Sequence, residues 1–193
     1  MTRVDETVLL WLNQWVGFLP WVDAALKVLI SDYFMPVLFS ITLLGLWFTG
    51  LTRQLREINQ RAVWIAASSM GLVNAWVTVM NAHIFRFRPF VDHDLPLLFY
   101  RPTDSSFPAN PTALAFAAAS GAWLGNKKVG GILFALGTLY SAGRVYAGVF
   151  YPSDVIAGGL LGIASTAFMT MIFRLGEPIP TIALRIMRRI RLA

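Results

Sequence analysis

The stretch VIAGGLLGIASTAFMTMIF, residues 155–173, contains no Asp, Glu, Lys or Arg. A hydrocarbon core of ~30 Å takes roughly 20 apolar helical residues to cross, so this stretch alone has the length and composition of a membrane span. Working outward from it, residues 33–52, 62–85 and 105–126 are equally free of charge, and residues 129–153 are interrupted only by Arg144. Five spans are therefore predicted, from Tyr33 to Thr52, Ala62 to Phe85, Ser105 to Asn126, Val129 to Ser153 and Val155 to Phe173. The composition agrees: in 193 residues, 56% are hydrophobic and 13% charged, against about 25% charged in soluble domains. A water-soluble globule, a disordered chain and a repeat array are all excluded on this basis. The length is that of one domain.

The first thirty residues read differently. Residues 7–22 are apolar but short, carry Asn13 and Gln14, and are broken by Pro20 ahead of Asp23 and Lys27. With Trp11, Trp15 and Trp21 along it, this segment is expected to be an amphipathic helix lying in the membrane interface. A cleavable signal peptide is not expected, because Asp5 and Glu6 spoil the basic flank such a signal needs. The expected organisation is an all-α bundle of six helices: an interfacial segment over 1–32, the transmembrane bundle over 33–175, and a basic tail over 176–193.

Charge sets the orientation. Arg53, Arg56, Arg61, Lys127, Lys128, Arg174, Arg185, Arg188, Arg189 and Arg191 fall on one side of the predicted spans, and Arg86, Arg88, Arg101 and Arg144 on the other. The richer side, with the C-terminus, is expected to be cytoplasmic. The net charge of +6 is read as topology, and no nucleic-acid partner is expected. Arginines among Ile182, Leu184, Ile186, Met187 and Ile190 read either as a basic amphipathic helix on an anionic leaflet or as a solvated helix end. Gly158 with Gly162, and Gly121 with Gly125, have the small-xxx-small spacing of close helix packing.

The candidate chemistry lies on the outer side, in RFRPFVDHDLPLLFYRPTDSS (residues 86–106) and GRVYAGVFYPSD (residues 143–154). Arg144 stands 16 residues beyond Lys128, about 24 Å along a helix, and so at the outer edge of the hydrocarbon. An arginine at that depth needs a partner, and Asp154 is the nearest in sequence. Arg88 bounds the preceding outer loop in the same way. Two planar guanidiniums on one rim suit a phosphate or diphosphate head; the plainer alternative is that both are interface anchors paired with Asp92, Asp94 or Asp154. His83 reads as a packed, hydrogen-bonded histidine. His93 between Asp92 and Asp94 suggests a metal ligand only weakly, because adjacent side chains diverge and no second ligand cluster follows. No cofactor and no metal are expected. The chain has no cysteine, which removes thiolate chemistry.

FRFRPF, SSFPANPTA and GRVYAGVFYPSDVIAG, in that order, resemble the three signature motifs of the type 2 phosphatidic acid phosphatase superfamily, most of all its bacterial undecaprenyl diphosphate phosphatase branch. The resemblance runs from about Trp21 to Phe173 and implies a bacterial cytoplasmic membrane location with the site facing outward. Arg88, Pro89, Pro108, Arg144 and Asp154 match the family pattern. Asn81 stands where the family has lysine, Ala109 and Gly143 where it has serine, Pro111 at the second-motif histidine and Phe150 at the nucleophilic histidine. In the mechanism the family implies, an imidazole attacks phosphorus and a second protonates the leaving oxygen. A benzene ring has no lone pair for the first role, and proline has no proton for the second.

Three functional expectations follow. The first is a non-catalytic relative that binds a phosphorylated isoprenoid or phospholipid through Arg88 and Arg144, with Asp154 as their electrostatic partner. The second is an accessory subunit of a larger membrane complex, docked through Trp47, Trp64, Trp76 and Trp123. The third is an active lipid diphosphatase with an altered site.

Overall fold

The computed structural model describes every residue except 1, 2, 99, 180, 183, 185, 186 and 188–193. Over the described residues the chain is all-helical: α1 (Arg3–Asn13), α2 (Pro20–Leu29), α3 (Phe34–Phe48), α4 (Arg53–His83), a single turn α5 (Pro89–Asp92), α6 (Asn110–Gly125), α7 (Lys127–Tyr146) and α8 (Pro152–Leu175). Eight helices thus replace the six expected. The N-terminal segment makes two of them, because the chain leaves α1 at Asn13 and turns at Gly17, whose φ of 87° favours glycine. The loop between α4 and α6 adds the short α5.

The centre of the bundle is α6, which packs against α4, α7 and α8. Its sequence explains why. NPTALAFAAASGAWLG has no polar face, and Ala113, Ala117, Ala118, Ala119 and Ala122 are fully buried, as expected of a helix enclosed on all sides. Small residues let the neighbours approach to backbone contact. A Cβ on Gly162 of α8 would lie 2.3 Å from the Ala113 carbonyl oxygen, and one on Gly158 would lie 2.5 Å from that of Ala109. On the α4 side, Gly121 and Gly125 meet Ala66 and Ala62 in the same way. Both glycine pairs therefore act as packing devices. Two hydroxyls reinforce the seams: Ser141 donates to Thr112 Oγ1 (2.9 Å) and Thr166 to the Ala117 carbonyl (3.2 Å).

Among the described residues two helices, α4 and α8, are long and apolar enough by themselves to cross a membrane, and a third span results if the α2–α3 pair, bent by 51°, is counted as one. The remaining predicted spans are shorter than their charge-free stretches. Residues 105–109 approach α6 as non-helical chain with a bend at 107–108, so that helix begins at Asn110, and α7 ends at Tyr146 ahead of a turn through Gly148 (φ 76°). Charge-free sequence was long enough in each case, but part of it builds the connections between helices.

The N-terminal helices are docked on this framework. α1 packs on α7 and α8, and α2 on α3 and α7. Asn13, which argued against a span, is buried, and its amide donates to the carbonyls of Tyr146 (2.8 Å) and Pro96 (3.2 Å), closing the open end of α7. Trp11, Trp15 and Trp21 point outward. The arginines at 185, 188, 189 and 191 lie outside the described residues. Closer in, Arg61 of α4 pairs with Glu177 and donates to Thr181 Oγ1 (2.5 Å).

The close α6–α8 seam yields a test. Gly162→Ala is expected to lower thermal stability in detergent by about 1–3 kcal/mol, because backbone rather than a flexible side chain must move. Gly71→Ala, with nothing within 4 Å of the new Cβ, is expected to change stability by less than ~1 kcal/mol. Equal thermal midpoints for the two variants would contradict this packing.

Candidate functional site

The loop from Arg86 to Ser106 crosses one end of the bundle, and the turn between α7 and α8 meets it there. Two polar centres result. The first surrounds Arg86, which the sequence reading counted only as a topology charge. Its guanidinium donates to Asp154 Oδ1 (2.5 Å), Ser153 Oγ (2.8 Å) and Asp5 Oδ2 (3.2 Å), and lies 4.2 Å from the centre of the Tyr151 ring. Asp154, fully buried, also accepts from the Tyr151 amide (3.0 Å), capping α8. Asp5 on α1 accepts from the Ser153 amide (3.0 Å) and hydroxyl (2.7 Å). Burial pushes the Asp5 carboxyl up, but the Ser153 hydrogen bonds and Arg86 together hold it below its ordinary value. This centre fastens α1 to the start of α8.

The expected pairing is thereby corrected. Asp154 takes Arg86, and Arg144 takes Asp32 instead. Helix direction explains the exchange: Asp154 lies in the first turn of α8, where the capping geometry turns its carboxylate back onto its own N-terminus, while Arg144 on α7 faces the α2–α3 corner. Arg88 likewise takes Asp104 in place of Asp92, Asp94 or Asp154.

The second centre is a cavity of about 280 Å³ lined by Arg88, Arg144, Phe150 and Pro111, with Asp32, Asp104 and Tyr100 at its charged end and α3 side chains such as Met35 and Phe39 at its apolar end. Arg88 is 4% exposed and nearly saturated: Nε donates to the Asp104 carbonyl (3.1 Å), Nη1 to the Val149 carbonyl (3.2 Å) and Nη2 to Asp104 Oδ1 (2.9 Å). Burial lowers its pKa from the ordinary value, with Arg144 adding to the effect and Asp104 opposing it. Arg144, also 4% exposed, donates from Nη2 to the Ile30 carbonyl (2.9 Å) and to Asp32 Oδ1 (2.5 Å), and lies 4.9 Å from the centre of the Tyr140 ring. Tyr100 donates its hydroxyl to the other Asp32 oxygen (2.9 Å).

Phe150 is the floor of this centre. Its ring is 2% exposed, packs with Ile30, Ala109, Ala147 and Val149, and carries the Arg88 guanidinium 4.4 Å from its centroid, a cation–π geometry. Pro111 occupies the first turn of α6, where a missing amide hydrogen costs no intrahelical bond. Ala109 is fully buried between Phe150 and α8. At Gly143 a Cβ would come within 2.7 Å of Ile30 Cγ2, so the Ile30 side chain just past α2 takes up space a larger residue would need. Asn81 lies near the end of α4, partly buried, and its Oδ1 has no hydrogen-bond partner among the described residues. No histidine is among the described residues lining the cavity. His83 is exposed rather than packed, though its Nδ1 contacts the Val79 carbonyl at 2.8 Å, and His93 lies 3.8 Å from Glu6 on α1. No group of three His, Asp or Glu gathers among the described residues.

Phe150, Pro111, Arg88 and Arg144 thus line one cavity. Residues 62–176 match the model of the PAP2 superfamily. The chain belongs to the PAP2 superfamily. It is 30% identical over 140 residues to the undecaprenyl-diphosphatase BcrC of Bacillus subtilis, covering 72% of this chain and 69% of that relative. The crystal structure of Aquifex aeolicus LpxE superposes with a TM-score of 0.69 at 26% identity, over 88% of this chain and 96% of that one. The PAP2-type phosphatidylglycerolphosphate phosphatase of Bacillus subtilis shares the fold, with a TM-score of 0.62 at 19% identity over 92% and 90% of the two chains.

Within this PAP2 scaffold, Asp32, Tyr100, Asp104 and Arg86 are the site residues the sequence reading missed. Asp104 and Tyr100 sit in the quoted outer loop, so proximity was the available signal; Asp32 lies 112 residues from Arg144 and had none. Asp154→Asn is expected to cost roughly 3 kcal/mol, since it leaves Arg86 without its main counter-charge. The exposed Asp94→Asn is expected to cost nothing measurable in the same detergent melt. A harmless Asp154→Asn would show that the Arg86 centre does not hold α1 and α8 together.

Proposed function

We propose that this PAP2 protein is a non-catalytic member that holds the phosphorylated head of a membrane lipid, an isoprenoid phosphate or a phospholipid, between Arg88 and Arg144. The observation that carries this reading is the Phe150 ring packed directly beneath the Arg88 guanidinium. The position that needs a nucleophile has none, while the phosphate-type arginines are retained and buried. Pro111 removes the proton donor from the same cavity. Loss of a nucleophile in a comparable catalytic unit lowers turnover by about 10⁶.

The shape of the cavity supports a lipid. Its charged end is continuous with apolar α3 side chains that begin at the α2–α3 corner, so a head and the first part of a chain fit the same space. In this reading α3, α4, α6, α7 and α8 all cross a bacterial cytoplasmic membrane. The cavity then faces outward, α1 and α2 lie in the outer interface, and the basic C-terminus is cytoplasmic. The accessory-subunit reading loses part of its support, because Trp47 is 7% exposed and packs against Trp64 at 6.3 Å rather than forming a free docking surface.

Extraction from native membranes followed by lipid analysis tests the proposal. A phosphorylated lipid is expected to accompany the wild type, and Arg88→Ala/Arg144→Ala is expected to reduce its amount at least tenfold, since each charge-assisted contact contributes about 1.5–3 kcal/mol. Phosphate release from undecaprenyl diphosphate or phosphatidic acid is expected to stay at the detergent blank. Identical lipid content in the two proteins would remove the binding half, and turnover above the blank would remove the non-catalytic half.

A further inference from the structure

The two cavity arginines are held very differently from their carboxylate partners. Both guanidiniums are 4% exposed and are anchored by backbone carbonyls, Val149 and Asp104 for Arg88 and Ile30 for Arg144. The carboxylates sit at the rim on loops: the Asp104 side chain is 65% exposed and that of Asp32 is 40% exposed. Each carboxylate can therefore rotate away while its arginine stays fixed. The Arg88 contact to the Asp104 backbone carbonyl would survive such a rotation.

We infer that Asp32 and Asp104 are built-in competitors for the anion site, which close it to singly charged heads and yield to doubly charged ones. The inference rests on the proposed lipid-binding role. Its basis is charge arithmetic: two arginines and two aspartates sum to zero, so an incoming anion must displace a carboxylate or meet its repulsion. A phosphodiester head carries one negative charge and exchanges like for like. A phosphomonoester carries about −1.5 to −2 at neutral pH, so its exchange gains charge at both guanidiniums. The carboxylates do not alter the ratio of intrinsic affinities for two lipids. They set a threshold that a bilayer composed mostly of phosphodiesters does not reach. Tyr100, whose hydroxyl holds the second oxygen of Asp32, is the positioning residue for this competition.

The experiment uses the full chain in phosphatidylcholine nanodiscs doped with phosphatidic acid, a monoester, or with phosphatidylglycerol, a diester; inorganic phosphate is titrated in parallel. If the displaced state is a minor one, removing the competitors should tighten apparent affinity by the inverse of its population. Asp32→Asn/Asp104→Asn is therefore expected to bind phosphatidic acid at least about tenfold more tightly than wild type. Phosphatidylglycerol binding, undetected for wild type, is expected to become measurable. Tyr100→Phe, an exposed change, is expected to tighten phosphatidic acid binding by about two- to fivefold and serves as the deciding variant if the double substitution does not fold. Tightening for inorganic phosphate as well supports competition at the phosphate itself. Unchanged or weaker phosphatidic acid binding in a folded variant overturns the inference. Wild-type binding that persists after Arg88→Ala/Arg144→Ala overturns instead the reading on which it rests.

Discussion

A guanidinium taken out of water needs a counter-charge, and this chain buries two, Arg88 and Arg144, and partly buries a third, Arg86, at one end of an apolar bundle. Arg86 finds Asp154 and Asp5, Arg88 finds Asp104, and Arg144 finds Asp32. Each carboxylate comes from a different segment, so neutralising the arginines also dictates the tertiary structure at that end. Asp5 brings α1 onto α8, Asp32 pins the α2–α3 corner over α7, and Asp104 folds the outer loop back on itself. Of these carboxylates Asp154 and Asp5 are buried, and breaking the Arg86–Asp154 pair costs several kcal/mol, which is large against the net stability of a domain; Asp32 and Asp104, at the exposed rim, hold their arginines less firmly. The glycine and alanine seams around α6 hold the helices together; the ion pairs decide how the loops close over them.

The same constraint explains how the site tolerates its departures from the family pattern. A histidine and an arginine share a cavity through hydrogen bonds, whereas a phenylalanine and an arginine share it through the ring face. The Phe150 ring fills a buried position without leaving an unsatisfied polar atom, and Arg88 keeps its place above it. Pro111 falls where a helix can accept it, and Gly143 makes room for Ile30. Phe150, Pro111 and Gly143 form a consistent packing solution around the two arginines. The cavity is not filled by apolar side chains alone: it holds two cations and their compensating anions.

Much of this was legible in the sequence, and the reason is local in each instance. The membrane class followed from charge-free runs, the α6 seams from Gly158, Gly162, Gly121 and Gly125, and the placing of Arg88 and Arg144 at one end of the bundle from their positions at the ends of those runs. Helix lengths were less legible, since absence of charge marks residues that can be buried and not residues that are helical; residues 105–109 and 147–151 are free of charge and form loops. Ion-pair partners were least legible. Nothing periodic connects Asp5 with Arg86, 81 residues apart, or Asp32 with Arg144. Asp154 appeared to suit Arg144 by nearness in sequence, but a carboxylate in the first turn of a helix is claimed first by that helix's own amides.

Phosphorus NMR of phosphatidic acid in nanodiscs, followed over time after adding the protein, joins binding and chemistry in one spectrum. A non-catalytic site built on Arg88 and Arg144 over Phe150 predicts that the monoester resonance shifts or broadens and that no inorganic phosphate signal grows. A growing inorganic phosphate peak, or a monoester resonance indifferent to the protein, would contradict it.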